Sequence, residues 1–389
     1  MTVENPRTEQ QTLEIVRQTF ESNAPLAIEG HATKLQLGRK STATHVLNLS
    51  GLTGITLYEP EEMVITARAG TPLADIEETL ARHGQCLAFE PGDVAELWGG
   101  TSGAATIGGT ISAGICGPRR FSAGAARDHL LGFTGINGMG ERFKAGGKVV
   151  KNVTGYDLPK LAAGSFGTLF VMTEVTLRAV PRGSTAAYLS IEGLSPEAGL
   201  KCLRRAAASP LDPTGLAYLP AMTASRLTGK AHPVAIFRLE GQASGVAARA
   251  TELCRTLGEG ASTLDNAQGA KIFHALTRIA PLFSDAGELW RLSIPPANAT
   301  EMLAALSPSS WAADWAGGLL WCETNAAQIH TLAKKAGGHA TLFRKPSVWP
   351  DSSEVFPPLD PATRALTLRL KDAFDPARIL NPGRMYKDM

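Results

Sequence analysis

The chain has 389 residues, 44% hydrophobic and 19% charged, with a formal net charge of +2. That length exceeds one ordinary core and implies two or three domains. The near-neutral balance excludes a polyanion-binding surface, so no nucleic-acid partner is expected.

The N-terminal MTVENPRTEQQTLEIVRQ lacks the apolar stretch of a signal peptide, and no run of about 18 apolar residues is present to cross a membrane. Cys86, Cys116, Cys202, Cys254 and Cys322 form no CxxC pair. Zinc or iron–sulfur ligation within the chain is therefore not expected, no metal site is assigned, and reduced thiols in the cytoplasm suit the pattern. In chain order, Thr8–Asn23 has the spacing of an amphipathic helix, and Pro25–Ile28 reads as a strand running into Gly30-His31-Ala32-Thr33-Lys34. Strands are predicted at Val46–Leu49, Gly54–Tyr58 and Met63–Ala67, then a helix capped by Thr71 with Pro72 in its first turn, ending near His83. The stretch TSGAATIGGTISAGICGPRR, 101–120, holds five glycines and no charge before Arg119. A flexible linker has such a composition, and so does a main chain pressed against a large ligand. Composition alone leaves cofactor binding and tight packing both open.

Further on, Leu131–Ile136 and Glu141–Ala145 flank Asn137-Gly138-Met139-Gly140 as a hairpin, and Leu169–Val180 is a long β-rich run. The turn Pro181-Arg182-Gly183-Ser184 marks a boundary. Beyond it the order β-α-β-β-α-β occurs twice, over Ala186–Asp265 and Leu289–Arg344. Two ferredoxin-like units sharing one antiparallel sheet, with helices on one face, are expected. The ending FDPARILNPGRMY is too apolar for a frayed tail and is expected to dock back on the body. The domains expected are 1–182, 183–372 and a returning segment, 373–389.

The nicotinamide fingerprint GxGxxG, the phosphate loop GxxxxGK[ST], GxSxG and HExxH are all absent. YEPEEMVITARAGTPLADIEETLARHGQCLAFEPGD, ATIGGTISAGICGPRRFSAGAARDHLLGFTGING, GGKVVKNVTGYDLPKLAAGSFGTL, GGHATLFR and FDPARILNPGRMY resemble another group. They are similar to the PCMH-type FAD-binding proteins of the vanillyl-alcohol oxidase superfamily, closest to the FAD-binding E subunits of bacterial glycolate oxidase. The resemblance implies an α+β fold: a two-lobed FAD-binding domain, a cap with an antiparallel sheet and helices, and a docking C-terminal segment. It also implies noncovalent FAD and oxidation of a small 2-hydroxy acid beside a second FAD subunit and an iron–sulfur subunit. Membrane contact would be indirect, through those partners.

By the same resemblance, Gly30, His31, Ala32, Thr33 and Lys34 match the first pyrophosphate loop, with His31 and Ala32 where relatives carry glycines. Glu90, Pro91, Gly92, Ala105, Thr106, Ile107, Gly108 and Gly109 would flank the isoalloxazine and diphosphate, and Ala113 and Gly114 would continue that wall. Gly167 and Val171 lie in the segment leading into a strand that meets the flavin and adenine. Arg119 and Arg120 would offset phosphates, bind a partner, or stay solvated. Oxidising a 2-hydroxy acid needs a cation for the carboxylate and a base for the hydroxyl proton. Arg291 and Arg344 are the cation candidates and His339 the base candidate, all on strand-like runs, with Lys151, Asn152, Tyr156 and Asp157 as alternatives. GGHATLFR lacks the acid and second histidine of the H-x-G-D-G-N-like metal motif common among related dehydrogenases. That departure points to a chain holding FAD beside the main dehydrogenating subunit. A self-sufficient dehydrogenase and an assembly subunit with a non-catalytic flavin remain as alternatives. Trp311, Trp315 and Trp321 are candidates for an apolar patch facing a partner.

Overall fold

A computed structural model describes residues 2–148, 156–284, 287–345 and 354–389. Lys151 and Asn152 lie outside the described residues. The first half begins with β1 (Thr2–Glu4), α1 (Glu9–Glu21), β2 (Leu26–Glu29) and β3 (His45–Asn48), whose strands form a parallel sheet in the order β1-β3-β2. Thr8 starts α1 by accepting the Gln11 N–H on its hydroxyl, and the helix buries Thr12, Val16 and Thr19.

The segments β4 (Ile55–Glu59), β5 (Val64–Arg68), α2 (Leu73–Ala81), β6 (Gln85–Cys86), α3 (Ile107–Ala113), α4 (Arg120–Ala123) and α5 (Ala126–His129) follow. Then come β7 (Leu130–Asn137), β8 (Arg142–Gly146), α6 (Leu158–Ala162), β9 (Phe170–Arg178) and β10 (Val180–Pro181). Five of these strands build an antiparallel sheet, β4-β5-β9-β7-β8, while β6 pairs with β10. In the hairpin between β7 and β8, the Asn137 Oδ1 accepts the N–H groups of Met139 and Glu141 at 3.0 and 2.9 Å. Thr71 does not cap α2, contrary to expectation. Its hydroxyl donates to the Arg68 carbonyl at 2.7 Å and accepts from the Gly54 N–H at 3.0 Å, so it closes the mouth of the β4–β5 hairpin instead.

The second half runs β11 (Thr185–Glu192), α7 (Pro196–Ala207), β12 (Gly215–Leu219), α8 (Ala221–Thr228), β13 (Val234–Gly241), α9 (Ala243–Leu257), β14 (Ala261–Leu264) and α10 (Asn266–Arg278). It continues with β15 (Leu289–Ser293), α11 (Ala299–Leu306), β16 (Ser310–Asp314), β17 (Leu319–Glu323), α12 (Ile329–Lys335), β18 (His339–Arg344) and α13 (Pro361–Phe374). All eight strands join one antiparallel sheet in the order β14-β11-β13-β12-β16-β17-β15-β18. Each unit thus has the strand order 4-1-3-2, the first departing from the expected β-α-β-β-α-β by the extra helix α8 between β12 and β13, and the two meet through β12 and β16, where Tyr218 faces Ala313.

The two-residue period of the strands sorts their side chains. Leu189, Phe237, Leu292, Leu320 and Leu342 pack on one face beneath Leu200 and Leu203 of α7, Leu253 of α9, Met302 of α11 and Ile329 of α12. Each such buried leucine or phenylalanine contributes about 1.5–3 kcal/mol. The opposite face carries Tyr188, Ile236, Trp321 and Phe343. It is covered by α8, α10 and by Leu37, Val94, Leu97 and Ile115 from the first half. The expected one-sided helices hold for α7, α9, α11 and α12, whereas α8 and α10 lie on the second face. Both bury an apolar stripe there, Ala224 and Leu227 in α8 and Ile272, Phe273 and Leu276 in α10.

The C-terminal segment does return. The Leu26 N–H donates to the Ile379 carbonyl and the Asn381 N–H to the Leu26 carbonyl, both at 2.8 Å, so the tail lies along β2. Ile379 and Leu380 share a core with Val16, Leu47 and Ile136. Lys371, buried, donates to Asp375 at 2.7 Å and to the carbonyls of Thr168 and Leu380. The helix α13 runs unbroken across residues 372 and 373.

Candidate functional site

A cleft runs between the loop after β2 and the start of α3. Cavities of about 90 and 70 Å³ adjoin along it. Gly30, His31, Ala32, Thr33 and Lys34 form one wall, Thr106, Gly109 and Ala113 the other, and Gly108, Gly167, Phe170 and Asn381 the far end. The walls approach so closely that a Cβ on Gly30 would sit 2.4 Å from the Thr106 hydroxyl oxygen, and one on Gly108 would sit 2.7 Å from the Ala69 Cβ. Only glycine fits at either position.

Two cations face this cleft. Burial pushes the Lys34 ammonium down to about 8, against the opposing charge of Asp93, and among the described residues its Nζ has only the Thr33 hydroxyl at 3.3 Å. Burial likewise lowers Arg384 to about 10, with Glu29 opposing. Its guanidinium donates to the carbonyls of Lys34 at 2.8 Å and Leu35 at 2.9 Å. Neither forms an ion pair among the described residues. Glu29 also lines the slot, but partly desolvated cations with no carboxylate bonded to them among the described residues, in a slot walled by main chain, suit a diphosphate. These residues therefore fit the diphosphate of FAD.

At Ala113 and Gly114 the cleft opens into a cavity of about 250 Å³. Its floor is the second face of the large sheet. Arg291 on β15 pairs with Thr341 on β18, and Ser293 with His339, so the antiparallel register puts Arg291, Thr341 and His339 on one side. Asp314, Trp321 and Phe343 extend the floor, Gly114, Cys116 and Phe166 form the roof, and Phe356 and Tyr386 close one end.

The electrostatics of the cavity are unusual. Burial drives Arg291 down to about 10, reinforced by Arg120 and opposed by the Cys116 thiol, and Arg291 forms no ion pair among the described residues. His339 is exposed at the end of its strand, yet desolvation of its ring lowers it below the ordinary histidine value and the charges of Arg291 and Arg120 lower it further, which favours the neutral imidazole. Burial pushes Asp314 up to about 7, with Glu90 adding to the rise, while the Trp315 N–H at 2.7 Å and Arg238 oppose it.

Of the expected residues, Gly30–Lys34, Thr106, Gly108, Gly109, Ala113, Gly114 and Gly167 border the cleft, and Arg291 and His339 share the cavity at its end. Others lie elsewhere. Ile107, the first residue of α3, is buried in the core beneath that helix, and Val171 is buried beside Leu26 and Leu47. Glu90, Pro91 and Ala105 turn to an outer groove between the two halves, not to the cavity. There the Glu90 carboxylate accepts from Arg238 at 2.7 and 2.9 Å, and Arg119 donates to Glu240 at 2.9 Å. Gly92 is sealed against the Thr277 carbonyl, which an added Cβ would meet at 2.1 Å. Arg344 does not reach the cavity, because its buried guanidinium donates to Glu323 at 2.6 Å and to the Gly287 carbonyl at 3.2 Å.

Among the remaining candidates, the His31 Nδ1 is 2.9 Å from the Ala104 carbonyl, Tyr156 is exposed, and Asp157 pairs with Lys160 at 2.6 Å. Trp315 and Trp321 are buried and Trp311 stacks on Tyr218, so none presents an apolar patch. Sequence reasoning passed over Asp314, Asn381 and Arg384, and took Trp315 only as a candidate for a partner-facing patch. The turn-forming Asn381-Pro382-Gly383 was the one signal near the last two; nothing in the run Ala313-Asp314-Trp315-Ala316-Gly317 singled out a buried acid.

Comparison with known proteins supplies the family. Residues 2–146 match the family described as FAD binding domain. The glycolate oxidase subunit GlcE of Escherichia coli (strain K12) is 36% identical over 384 residues, 98% of each chain. A D-lactate dehydrogenase of Archaeoglobus fulgidus is 29% identical over 202 residues, 52% of this chain and 43% of that protein. The glycolate oxidase subunit GlcD of Bacillus subtilis (strain 168) is 29% identical over 181 residues, 46% of this chain and 37% of that protein. A solved alkyldihydroxyacetonephosphate synthase superposes with a TM-score of 0.71 at 15% identity, covering 98% of this chain and 75% of that one, which bears on the fold alone. Similarity to GlcE along nearly its whole length, joined to a glycine-walled slot suited to a diphosphate, leads to one conclusion: the chain belongs to the family of the glycolate oxidase subunit GlcE, FAD-dependent oxidoreductases with a PCMH-type FAD-binding domain.

Proposed function

We propose that the chain is the FAD-binding subunit of a glycolate oxidase complex, oxidising glycolate to glyoxylate and passing the electrons to an iron–sulfur partner. One observation carries this reading: Arg291, without a carboxylate partner among the described residues, and the neutral His339 face a single cavity that opens from the glycine-walled cleft.

In this reading Lys34 and the loop Gly30–Lys34 hold the cofactor diphosphate, with Arg384 bracing the loop through the carbonyls of Lys34 and Leu35. Bound FAD supplies the two-electron acceptor. Arg291 binds the substrate carboxylate, for which its planar fork offers two parallel hydrogen bonds. The neutral His339 imidazole accepts the proton of the 2-hydroxyl. Trp321, Phe343 and Phe356 give the cavity an apolar lining around Arg291, which strengthens its pairing with a carboxylate. The chain's cysteines include no CxxC pair, so clusters that take the electrons onward would belong to another subunit. The reading includes a division near residue 182 into a cofactor-binding part and a cap.

A second reading, a self-sufficient 2-hydroxy-acid dehydrogenase, is favoured by the presence of both Arg291 and His339 on one chain. Anaerobic titration of the purified chain with glycolate separates the two. Bleaching of the flavin band by the chain alone supports autonomous oxidation. Bleaching only after the partner subunits are added supports the complex. A yellow protein that never bleaches in the assembled complex overturns the proposal in favour of a non-catalytic flavin.

A further inference from the structure

Arg120 and Arg291 come from different halves of the chain, yet both guanidinium carbons lie over the ring of Trp315, 4.5 and 5.1 Å from its centroid. Trp315 is buried and its indole Nε1 donates to the Gly117 carbonyl at 3.0 Å, across the interface between the halves. Its backbone is held in a costly shape. Trp315, Ala316 and Gly317 have φ of 52°, 58° and 94°, three left-handed residues in succession. For the two non-glycine residues this costs about 1–2 kcal/mol each, and such strain persists only where the surroundings over-determine it. Here the Asp314 carboxylate accepts the Trp315 N–H at 2.7 Å, and the Gly318 N–H donates to the Trp315 carbonyl at 3.0 Å.

Neither arginine has an acidic partner among the described residues. Two guanidinium groups brought to one ring repel each other, and the negative face of an indole offsets part of that repulsion. The charge of Arg120 is also felt at His339 and Cys116, both in the cavity wall. Arg120 and Trp315 stand behind the cavity wall; the other titratable or charged groups lining the cavity itself are Arg291 from β15, Asp314 from β16 and Tyr386 from the C-terminal segment.

We propose that Trp315 is the positioning residue that fixes Arg291 for the substrate carboxylate, and that Arg120, gathered on the same ring behind the cavity wall, adds a second positive charge, so that the site is a two-cation receptor for anionic ligands in which Arg291 makes the contact. The proposal rests on the 2-hydroxy-acid reading above. A receptor with two positive charges holds a dicarboxylate more tightly than a monocarboxylate of the same size. Tartronate-like hydroxydicarboxylates are then within its substrate class beside glycolate.

The test measures oxalate and glycolate binding by calorimetry on the FAD-loaded protein, together with the NMR titration of the His339 imidazole. Arg120→Gln is expected to weaken oxalate about tenfold and glycolate about threefold, a difference a lost charge produces and a lost packing contact does not. It is also expected to raise the His339 titration, because a cation that opposed protonation has gone. Trp315→Phe, which keeps an aromatic face, should retain most of the affinity that Trp315→Leu loses. Unchanged oxalate binding and an unchanged His339 titration in Arg120→Gln overturn the two-cation receptor. Equal affinities for Trp315→Leu and wild type overturn the positioning role; if Trp315→Leu does not fold, a Trp315→Phe protein whose oxalate affinity falls as far as that of Arg120→Gln overturns it. A wild-type protein that binds neither anion overturns the 2-hydroxy-acid reading itself, and this inference with it.

Discussion

The guanidinium of Arg384 donates to the carbonyl of Lys34 at 2.8 Å, which ties the C-terminal segment to the loop that borders the cofactor cleft. A second bond to the Leu35 carbonyl at 2.9 Å completes the brace. Arg384→Ala removes both and leaves the loop free to open. FAD affinity is expected to fall about tenfold, since hydrogen bonds from a charged donor are worth roughly 1.5–3 kcal/mol each before relaxation. The flavin retained after gel filtration checks this, with Arg384→Lys as a partial rescue.

Lys34 predicts opposite effects on the apoprotein and on cofactor binding. Its folded pKa of about 8 lies below the ordinary lysine value of 10.5, so the unfolded chain binds more protons between those limits. Stability of the apoprotein therefore rises with pH through that window. Lys34→Met removes the cost of burying the charge, so apoprotein melting at pH 7 should move up and its rise between pH 8 and 10.5 should flatten. The same variant should bind FAD more weakly. Loss of apoprotein stability together with unchanged FAD binding would contradict the assignment.

Asp314 gives the mirror case. Burial raises it from 3.8 to about 7, so the folded state holds a proton that the unfolded state has lost between those values. Stability from this group is greatest below pH 3.8 and declines as pH rises to 7. Asp314→Asn keeps an oxygen for the Trp315 N–H but cannot ionise. Its melting temperature at pH 8 is expected to exceed wild type, with the gap closing at pH 5. Denaturant melts at the two pH values measure it.

Arg291→Lys replaces a planar fork with a point charge. The KM for glycolate in the assembled complex should rise about tenfold or more, with flavin content unchanged, because one of two charge-assisted hydrogen bonds to the carboxylate is lost. A KM equal to wild type would remove Arg291 from the carboxylate site.

Glu90 is the hinge of the charged cluster joining the halves. Glu90→Ala strips the buried Arg238 of its bidentate partner and leaves it the Glu240 contact at 3.2 Å. Breaking one side of such a buried pair costs about 3 kcal/mol. A melting transition that shifts down or splits into two would report the loosened interface.

Much of the fold was legible from local pattern. Alternation in Leu289–Ser293 and His339–Arg344, and the helical spacing of Pro196–Ala207 and Ala243–Leu257, are consequences of chain geometry that each segment carries alone. The glycines at 30, 108 and 109 and the apolar tail were likewise readable, because small size and hydrophobicity belong to the residue itself. What the sequence by itself determined is this set of elements and the family signature spread along it. The tertiary structure decided which side chains meet. Arg291 and Arg344 look alike in sequence, but the ladder between β15 and β18 shifts register at Leu289 and Trp290, and Arg344 ends against Glu323 while Arg291 faces the cavity. Glu90 sits beside the glycine-rich run yet is drawn outward by Arg119 and Arg238, the latter from a strand 148 positions away. Charge pairing and burial act through space, and no local window of the chain contains the partner that sets them.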